Sequence, residues 1–219
     1  MRLIHAWRRA WRWSRQHSRR PFIQHAVEKL HIGCGPQARS GWTNVDIELN
    51  PGVDFVLDVR RGLPFRDATY IYAEHFLEHL SYDEGIAFLR ECRRVLRADG
   101  VLRLSTPNLE WVWLTQYRQN GTVADCFAIN KAFRGWGHQF LYNYDALTTT
   151  LRAVGFADIQ QCRYGESADP ALQNLEQHAA DTDTTSLPHV VIVEARGVAD
   201  RDRAALDDLL DDYDWAMHP

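Results

Sequence analysis

The sequence predicts a single α/β domain with a mostly parallel, seven-stranded sheet and helices on both faces. Short apolar runs alternate with helical patterns along the chain, as in repeated strand–helix units. One of the runs, "FVLDV", is apolar almost throughout, which is typical of a strand covered on both sides. The chain has 219 residues, 45% of them hydrophobic, which suffices for one domain with a large core.

Seven runs are predicted strands, and three segments that lie between them are predicted helices. The strands are Leu30–Ile32, Thr43–Ile47, Phe55–Val59, Thr69–Ala73, Val101–Ser105, Ala157–Tyr164 and His189–Ala195. One helix follows Ser81, with Glu84 completing a capping-box pattern, and is expected to end at a left-handed Gly100. A tryptophan-rich helix covers about Leu109–Tyr117, and a third runs from an Asn143 cap to Gly155.

The two ends of the chain differ in charge from the middle. We divide the chain into a basic amphipathic helical segment (1–28), a central domain (29–197) that contains the predicted sheet, and an acidic tail (198–219). In the first segment, tryptophan and aliphatic side chains share one helical face and arginines the other, and Pro21 interrupts the pattern. Such a helix suits an anionic membrane surface, and equally a packing face on its own domain or on a partner.

Composition argues against several classes of protein. The net charge of −4 gives no reason to expect a nucleic-acid partner. The four cysteines, Cys34, Cys92, Cys126 and Cys162, form no CxxC pair, so neither a disulfide framework nor a cysteine zinc site is expected, and the predicted compartment is the cytoplasm. No apolar run reaches the roughly eighteen residues of a membrane span, and the N-terminus lacks a secretory apolar stretch.

Three features at successive strand ends predict a ligand crevice. Gly33 and Gly35 follow the first strand in "HIGCG", where glycine permits a sharp turn and close approach of a ligand to the backbone. Asp46 ends the second strand and suits ribose hydroxyls, whereas Asp58 ends the third and suits an adenine amino group. Open α/β sheets bind ligands at the carboxyl ends of their strands.

Five stretches of the sequence carry a family resemblance. They are "KLHIGCGPQARSGWTNVDIE", "DFVLDVRRGLPF", "IYAEHFLEHL", "FLRECRRVLRADGVLRLSTPNLE" and "HQFLYNYDALTTTLRAVGF". The chain resembles a class I S-adenosylmethionine-dependent methyltransferase with a Rossmann-like sheet. It is most similar to small bacterial predicted methyltransferases associated with polysaccharide and cell-envelope biosynthesis. The resemblance spans about Lys29 to Gly165 and does not specify the substrate.

The resemblance implies S-adenosylmethionine as cofactor and assigns its contacts from tail to base. Gly33, Cys34 and Gly35 match the loop at the methionine part, Asp46 and the adjoining Ile47 the ribose, Asp58 and Val59 the adenine, and Glu74 and His75 the turn under the sulfonium. One departure is the spacing of only eleven residues from Gly35 to Asp46, whereas most relatives in the wider superfamily place a full helix and about twenty residues there. With Pro36 and Gly41 in between, at most one helical turn fits.

Methyl transfer asks the protein mainly to position a nucleophile. The expected acceptor is a hydroxyl oxygen of a small molecule or saccharide, so a base would help remove its proton. His75 and His138 are the predicted catalytic residues, with His79 and Glu74 as further candidates for the base. Tyr72 or Trp136 is a candidate for a cation–π contact with the sulfonium.

Other functions fit the sequence less well. His75 and His79 lie one helical turn apart with Glu78 between them, as in a two-histidine metal site, but the motif is not HExxH and no third ligand is evident, so no metal is expected. A catalytically silent scaffold in an envelope assembly would need neither Asp46 nor Asp58. A dinucleotide-dependent oxidoreductase would need the third glycine of GxGxxG. The remaining partner prediction is peripheral contact of the Arg/Trp helix with the inner membrane face.

Overall fold

The computed structural model of the protein describes residues 24–117, 120–178 and 187–217. The basic segment predicted as a helix therefore lies almost entirely outside the described residues. At its end the structure differs from the prediction, because His25–Ala26 forms a short strand, β1, and not helix. This strand pairs in parallel with Phe65–Arg66, β5, in a small two-stranded sheet.

The main sheet contains the seven predicted strands. They are β2 (Lys29–Ile32), β3 (Thr43–Asp46), β4 (Phe55–Val56), β6 (Ala68–Glu74), β7 (Leu96–Pro107), β8 (Asp158–Cys162) and β9 (Val190–Arg196). Their spatial order is β4-β3-β2-β6-β7-β9-β8, with β9 antiparallel to both of its neighbours. The order reverses between β2 and β6, and a reversal of this kind opens a ligand crevice at the carboxyl ends of the two strands.

Five α-helices complete the described fold. They are α1 (Tyr82–Val95), α2 (Leu109–Gln116), α3 (Val123–Asn130), α4 (Tyr144–Val154) and α5 (Arg203–Met217). A π-helical turn, Lys131–Gly135, extends α3, and 3₁₀ turns occur at Val59–Arg61, Leu77–His79 and Pro170–Leu172. Among the described helices, none has both the length and the apolar character needed to cross a bilayer.

The two faces of the sheet are covered differently. On one face, alternate strand residues such as Leu30, Ile71 and Leu102 pack with α1, α4 and α5 in the large hydrophobic core. On the other face, Tyr72 and Val101 pack against the segment around the Pro170–Leu172 turn and against Trp42. The predicted fold class is confirmed, with a 3₁₀ turn in place of a long helix on the second face.

The helix caps were predicted with mixed success. Glu84 accepts a 3.2 Å hydrogen bond from the Ser81 N–H, as a capping box requires, and Asn143 accepts one of 2.9 Å from the Ala146 N–H. Gly155 ends α4 in the left-handed conformation. The predicted cap at Gly100 is wrong, because α1 ends at Val95 and Gly100 lies inside β7.

Gly100 is explained by a close approach of two strands. A Cβ at this position would lie 2.8 Å from the Ala68 carbonyl oxygen and 3.2 Å from that of Thr69. Only glycine lets β7 come this near to β6 without displacing backbone atoms. Gly100 is therefore required by the close contact between β6 and β7 and not by a helix end.

A buried ion network fixes the second face. Arg103 on β7 is fully buried and donates 2.7 Å hydrogen bonds to Glu176 and to Glu194. Arg196 donates a further bond of 2.6 Å to Glu194. Because Glu176 belongs to the segment that follows the Pro170–Leu172 turn, this network holds that segment against the sheet.

Candidate functional site

The glycine loop leaves β2 in a conformation that requires glycine. Gly33 has φ +66°, and a Cβ there would lie 2.4 Å from Cδ2 of the Phe76 ring. The N–H groups of Gly33 and Cys34 both donate to the Val45 carbonyl, at 2.8 and 3.2 Å. The loop is therefore anchored to β3 on one side and packs under Phe76 on the other.

Asp46 closes the loop from the neighbouring strand. Its Oδ2 accepts a 2.7 Å hydrogen bond from the Gly35 N–H, and its Oδ1 accepts one of 2.9 Å from the Glu48 N–H. Each carboxylate oxygen keeps acceptor capacity beyond these bonds. At Gly35, φ is +51° and a Cβ would meet no atom within 4 Å, so the loop has open space beside it.

The short connection from the loop to β3 contains turns and no helix, as predicted. Where a helix would cover the sheet, the Arg39 guanidinium lies 5.2 Å from the centre of the Tyr72 ring. Trp42 packs edge-on against the same ring, and His31 stacks on it at 5.2 Å. Two nitrogens of Arg39, Nε and Nη2, are buried without a hydrogen-bond partner among the described residues.

The prediction of Tyr72 as a sulfonium contact is therefore wrong. The side chain is fully buried, and its ring faces are taken by Arg39 and His31. The alternation of β6 places Tyr72 on the second face of the sheet, below the strand end. Trp136, the other aromatic candidate, is 40% exposed and remains available.

Asp58 follows β4 at the same edge of the sheet. It caps the 3₁₀ turn and accepts hydrogen bonds of 2.8 and 2.9 Å from the Arg60 guanidinium. These bonds to Arg60 lower the pKa of Asp58. Val59 was predicted to be in the strand, but its side chain lies in the core at the start of the turn. Ile47, next to Asp46, is 59% exposed.

Glu74, at the end of β6, is engaged with a distant segment. Its carboxylate accepts bonds from the Gln177 N–H at 2.9 Å and the His178 N–H at 3.2 Å, and the His178 ring nitrogen lies 3.3 Å away. Burial would raise its pKa, but the His178 side chain and the two amides outweigh burial and lower it to about 2. A carboxylate with so low a proton affinity is a poor base, so Glu74 is a wrong candidate for that role.

His75 follows Glu74 in a left-handed conformation, with φ +46°. Its Nδ1 lies 3.2 Å from Oε1 of Glu78, and its ring stacks on His178 with 3.9 Å between centroids. Its Nε2 is buried and has no hydrogen-bond partner among the described residues. A carboxylate on Nδ1 holds a neutral imidazole in the tautomer whose Nε2 accepts a proton.

Glu78 links three parts of this edge. The side chain is fully buried, and its Oε2 accepts a 3.0 Å bond from the Thr106 hydroxyl. The backbone carbonyl oxygen of Glu78 accepts hydrogen bonds from the N–H groups of Gln139 at 2.7 Å and Phe140 at 3.2 Å. The segment "GWGHQF" is thereby fixed beside "EHFLEH", an association that no local sequence pattern could show.

His138 arrives at the site on that segment. Its ring lies 5.2 Å from His79 and 5.8 Å from Trp136 between centroids, and Nδ1 of His79 contacts the Gly137 carbonyl oxygen at 3.2 Å. Burial lowers the pKa of His138, so its imidazole is favoured in the neutral form. The two predicted catalytic histidines are thus on adjacent segments joined through Glu78.

The structure places two groups of three possible metal ligands at this edge of the sheet. Ligand-type atoms of Glu78, His79 and His138 lie within 4.8 Å of one another, and so do those of Glu74, His75 and His178. These third neighbours were not evident in the sequence, because Glu78 and His138, like Glu74 and His178, meet only in the folded chain. His75 and His79 belong to different groups, because the 3₁₀ turn at Leu77–His79 separates their rings.

The structure is an α/β domain with a compact glycine loop at the reversal in strand order. A family described as a methyltransferase domain matches residues 41–104. Two curated relatives, the probable S-adenosylmethionine-dependent methyltransferases MT3114 and Rv3030 of two Mycobacterium tuberculosis strains, are each 34% identical over 116 residues. These matches support a class I S-adenosylmethionine-dependent methyltransferase domain, a class whose cofactor is S-adenosylmethionine.

The region matched to the curated relatives is only part of each protein. It covers 52% of this chain and 36% of the length of each curated relative. Among solved structures, an S-adenosylmethionine-dependent methyltransferase from Mesorhizobium loti is similar with 15% identity and a TM-score of 0.49, over 84% of this chain and 96% of that one. The strand order itself, and not this likeness, defines the fold.

Proposed function

We propose that the protein transfers a methyl group from S-adenosylmethionine to a hydroxyl oxygen of a small-molecule or glycan-linked acceptor. The observation that carries the proposal is the bond between Gly35 and Asp46, which joins the glycine loop to the acid of the next strand beside the reversal in strand order. The open space at Gly35 fits a cofactor that approaches the backbone closely.

In the proposed site, three strand ends share the recognition of the cofactor. The loop of Gly33, Cys34 and Gly35 borders the amino-acid part, and the free acceptor capacity of Asp46 suits the ribose hydroxyls. The exposed Ile47 offers an apolar surface to the adenine. Asp58 would accept from the adenine amino group, for which it would share or exchange its bonds with Arg60.

The cofactor, when bound, supplies a methyl group that its sulfonium already activates. The protein then has to orient the acceptor hydroxyl and remove its proton. His75 is the best placed base, because its Nδ1 lies 3.2 Å from Oε1 of Glu78 and its buried Nε2 has no partner among the described residues. Trp136 borders the same edge through His138 and suits the ring face of a sugar or the sulfonium.

The base assignment is tested with His75→Asn. Asparagine tolerates the left-handed conformation at this position, so the fold should be retained. We expect S-adenosylhomocysteine to bind the variant as it binds the parent, while methyl transfer to an accepted substrate falls about 100-fold or more. Acceptors would be found by measuring S-adenosylhomocysteine release over a panel of saccharides and hydroxylated small molecules. Unchanged transfer in the variant would exclude His75 as the base.

We also propose that the protein works in the cytoplasm. The cysteines Cys34, Cys92, Cys126 and Cys162 are all free, which supports a reducing compartment. Contact of the basic segment 1–28 with the inner membrane face rests on its Arg/Trp pattern alone. Flotation of the full chain and of a chain starting at Phe22 with anionic liposomes tests that contact, and equal flotation of the two would refute it.

A further inference from the structure

We propose that Glu78, His79 and His138 bind a divalent transition-metal ion beside the predicted methyl-transfer site. One ligand-type atom from each residue lies within 4.8 Å of the other two. Two imidazoles and one carboxylate are a donor set typical of mononuclear zinc and iron sites. The set shares no residue with the glycine loop, Asp46 or Asp58, so it is separate from the cofactor contacts.

Glu78 supplies a buried negative charge that lacks a strong partner. The side chain is fully buried, and its Oε1 makes no well-oriented hydrogen bond among the described residues. Among the described residues, Oε1 lies 3.2 Å from Nδ1 of His75, and no lysine or arginine forms a salt bridge with Glu78. Burying a carboxylate is costly unless a cation compensates it, and a divalent ion would do so.

The surroundings of the three ligands resemble those of a metal site. Nδ1 of His79 faces the Gly137 carbonyl oxygen at 3.2 Å, and a ligating histidine generally donates its second N–H to such an oxygen. That contact leaves the other ring nitrogen of His79 for an ion. The carboxylate of Glu78 is oriented by the Thr106 hydroxyl at 3.0 Å, and Nδ1 of His138 is buried without a partner.

The backbone holds the two contributing segments in register. The Gln139 N–H donates to the Glu78 carbonyl oxygen at 2.7 Å, and the Gln139 side chain donates to the His79 carbonyl oxygen at 2.6 Å. His138 is therefore positioned next to Glu78 and His79 before any ion binds. Such preorganisation lowers the cost of ligand binding.

The second group, Glu74, His75 and His178, is a weaker candidate. The carboxylate of Glu74 already accepts two backbone N–H bonds and faces the His178 ring, so its charge is compensated. The side chain of His178 is 52% exposed, and its ring nitrogen already contacts the Glu74 carboxylate. These contacts assign the ion to the group built on Glu78.

The donor set also indicates which ion fits. Imidazole nitrogens suit zinc, iron, cobalt and nickel, whereas magnesium and calcium prefer oxygen ligands. Three protein ligands leave a coordination position open, as in catalytic zinc sites. An acceptor hydroxyl oxygen could occupy that position and be held toward the methyl group, a role that rests on the proposed function.

Direct metal binding tests the site independently of catalysis. The untagged full chain, treated with a chelator, would be titrated with Zn²⁺ by calorimetry and with Co²⁺ by visible absorption. We expect one ion per chain in this group. We expect His79→Ala and His138→Ala each to weaken Zn²⁺ binding about tenfold or more. The matched control His178→Ala should keep the parent's affinity.

Three results would overturn the proposal. They are the absence of Zn²⁺ and Co²⁺ binding, unchanged affinity in both His79→Ala and His138→Ala, and loss of affinity in His178→Ala alone. Thermal unfolding and S-adenosylhomocysteine titration of the same variants check that they are folded. Because His79 is exposed, its replacement should leave the fold intact. Metal binding without any cofactor binding would contradict the proposed function and leave the metal site standing.

Discussion

Asp46 accepts a 2.7 Å hydrogen bond from the backbone N–H of Gly35, eleven residues before it. No helix connects the glycine loop to β3, and this hydrogen bond fixes the distance between the loop and the end of β3 directly. Its second oxygen accepts from the Glu48 N–H, so the carboxylate is oriented by two amides. In the proposed function, this fixed carboxylate is the acceptor for the ribose hydroxyls.

Gly33 and Gly35 are predicted to respond differently to substitution. Gly33→Ala should destabilise the protein by about 2–5 kcal/mol, because it adds left-handed strain and a clash with the Phe76 ring. Gly35→Ala should cost only about 1–2 kcal/mol, since its strain comes without a clash. Urea unfolding of both variants measures the difference.

A bulkier change at Gly35 separates stability from binding. Gly35→Val should keep a cooperative unfolding transition while S-adenosylhomocysteine affinity falls at least about tenfold, because the side chain occupies the open space beside the loop. Equal stabilities of Gly33→Ala and Gly35→Ala would contradict the packing described at Phe76. Unchanged affinity of Gly35→Val would place the cofactor elsewhere.

The Glu74–His178 pair predicts a pH-dependent contribution to stability. The folded pKa of Glu74 is lowered from 4.5 to about 2, so its contribution is present above the unfolded pKa and is lost as the pH falls from about 4.5 toward 2. The pKa of His178 is raised by Glu74, so its contribution is present below about 6.5 and is lost as the pH rises through the folded value.

Glu74→Gln tests this prediction. The stability difference from the parent should be largest between about pH 4.5 and 6.5, on the order of 2–3 kcal/mol for the carboxylate, and should shrink on both sides. Unfolding free energies from pH 3 to 9 give the profile. A difference that stays constant over this range would refute the charge pairing.

Arg103 is predicted to be essential for the second face of the sheet. Arg103→Met removes the buried ion pair of Glu176 and leaves Glu194 with Arg196 alone, which should cost about 3–5 kcal/mol. The matched control Arg97→Met removes a surface contact with Asp99 and should cost no more than about 1 kcal/mol. Denaturant unfolding compares the two, and similar losses would contradict the burial of this network.

Local patterns predicted most of the fold. Apolar runs located all seven strands of the main sheet, and the caps at Ser81 and Asn143 marked two helix starts, because these signals depend on neighbouring residues only. The spacing from Gly35 to Asp46 likewise predicted a loop without a helix, and the structure contains none there.

Contacts between distant segments were not predictable in the same way. Glu74 binds amides 103 and 104 residues later, and Gln139 reaches Glu78 from a distant irregular segment. These contacts decide the roles of the titratable residues, removing Glu74 as a base and joining His138 to Glu78. At Gly100, the sequence showed the glycine but not the neighbouring strand that requires it.

Calorimetric titration with S-adenosylhomocysteine tests the central claim most directly. The parent and the surface control Glu48→Gln should bind with the same affinity, whereas Asp46→Ala should lose at least about tenfold, because the ribose acceptor is gone. Thermal unfolding confirms that each variant is folded. No binding by the parent, or equal binding by Asp46→Ala and the parent, would contradict the assignment of this edge as the cofactor site.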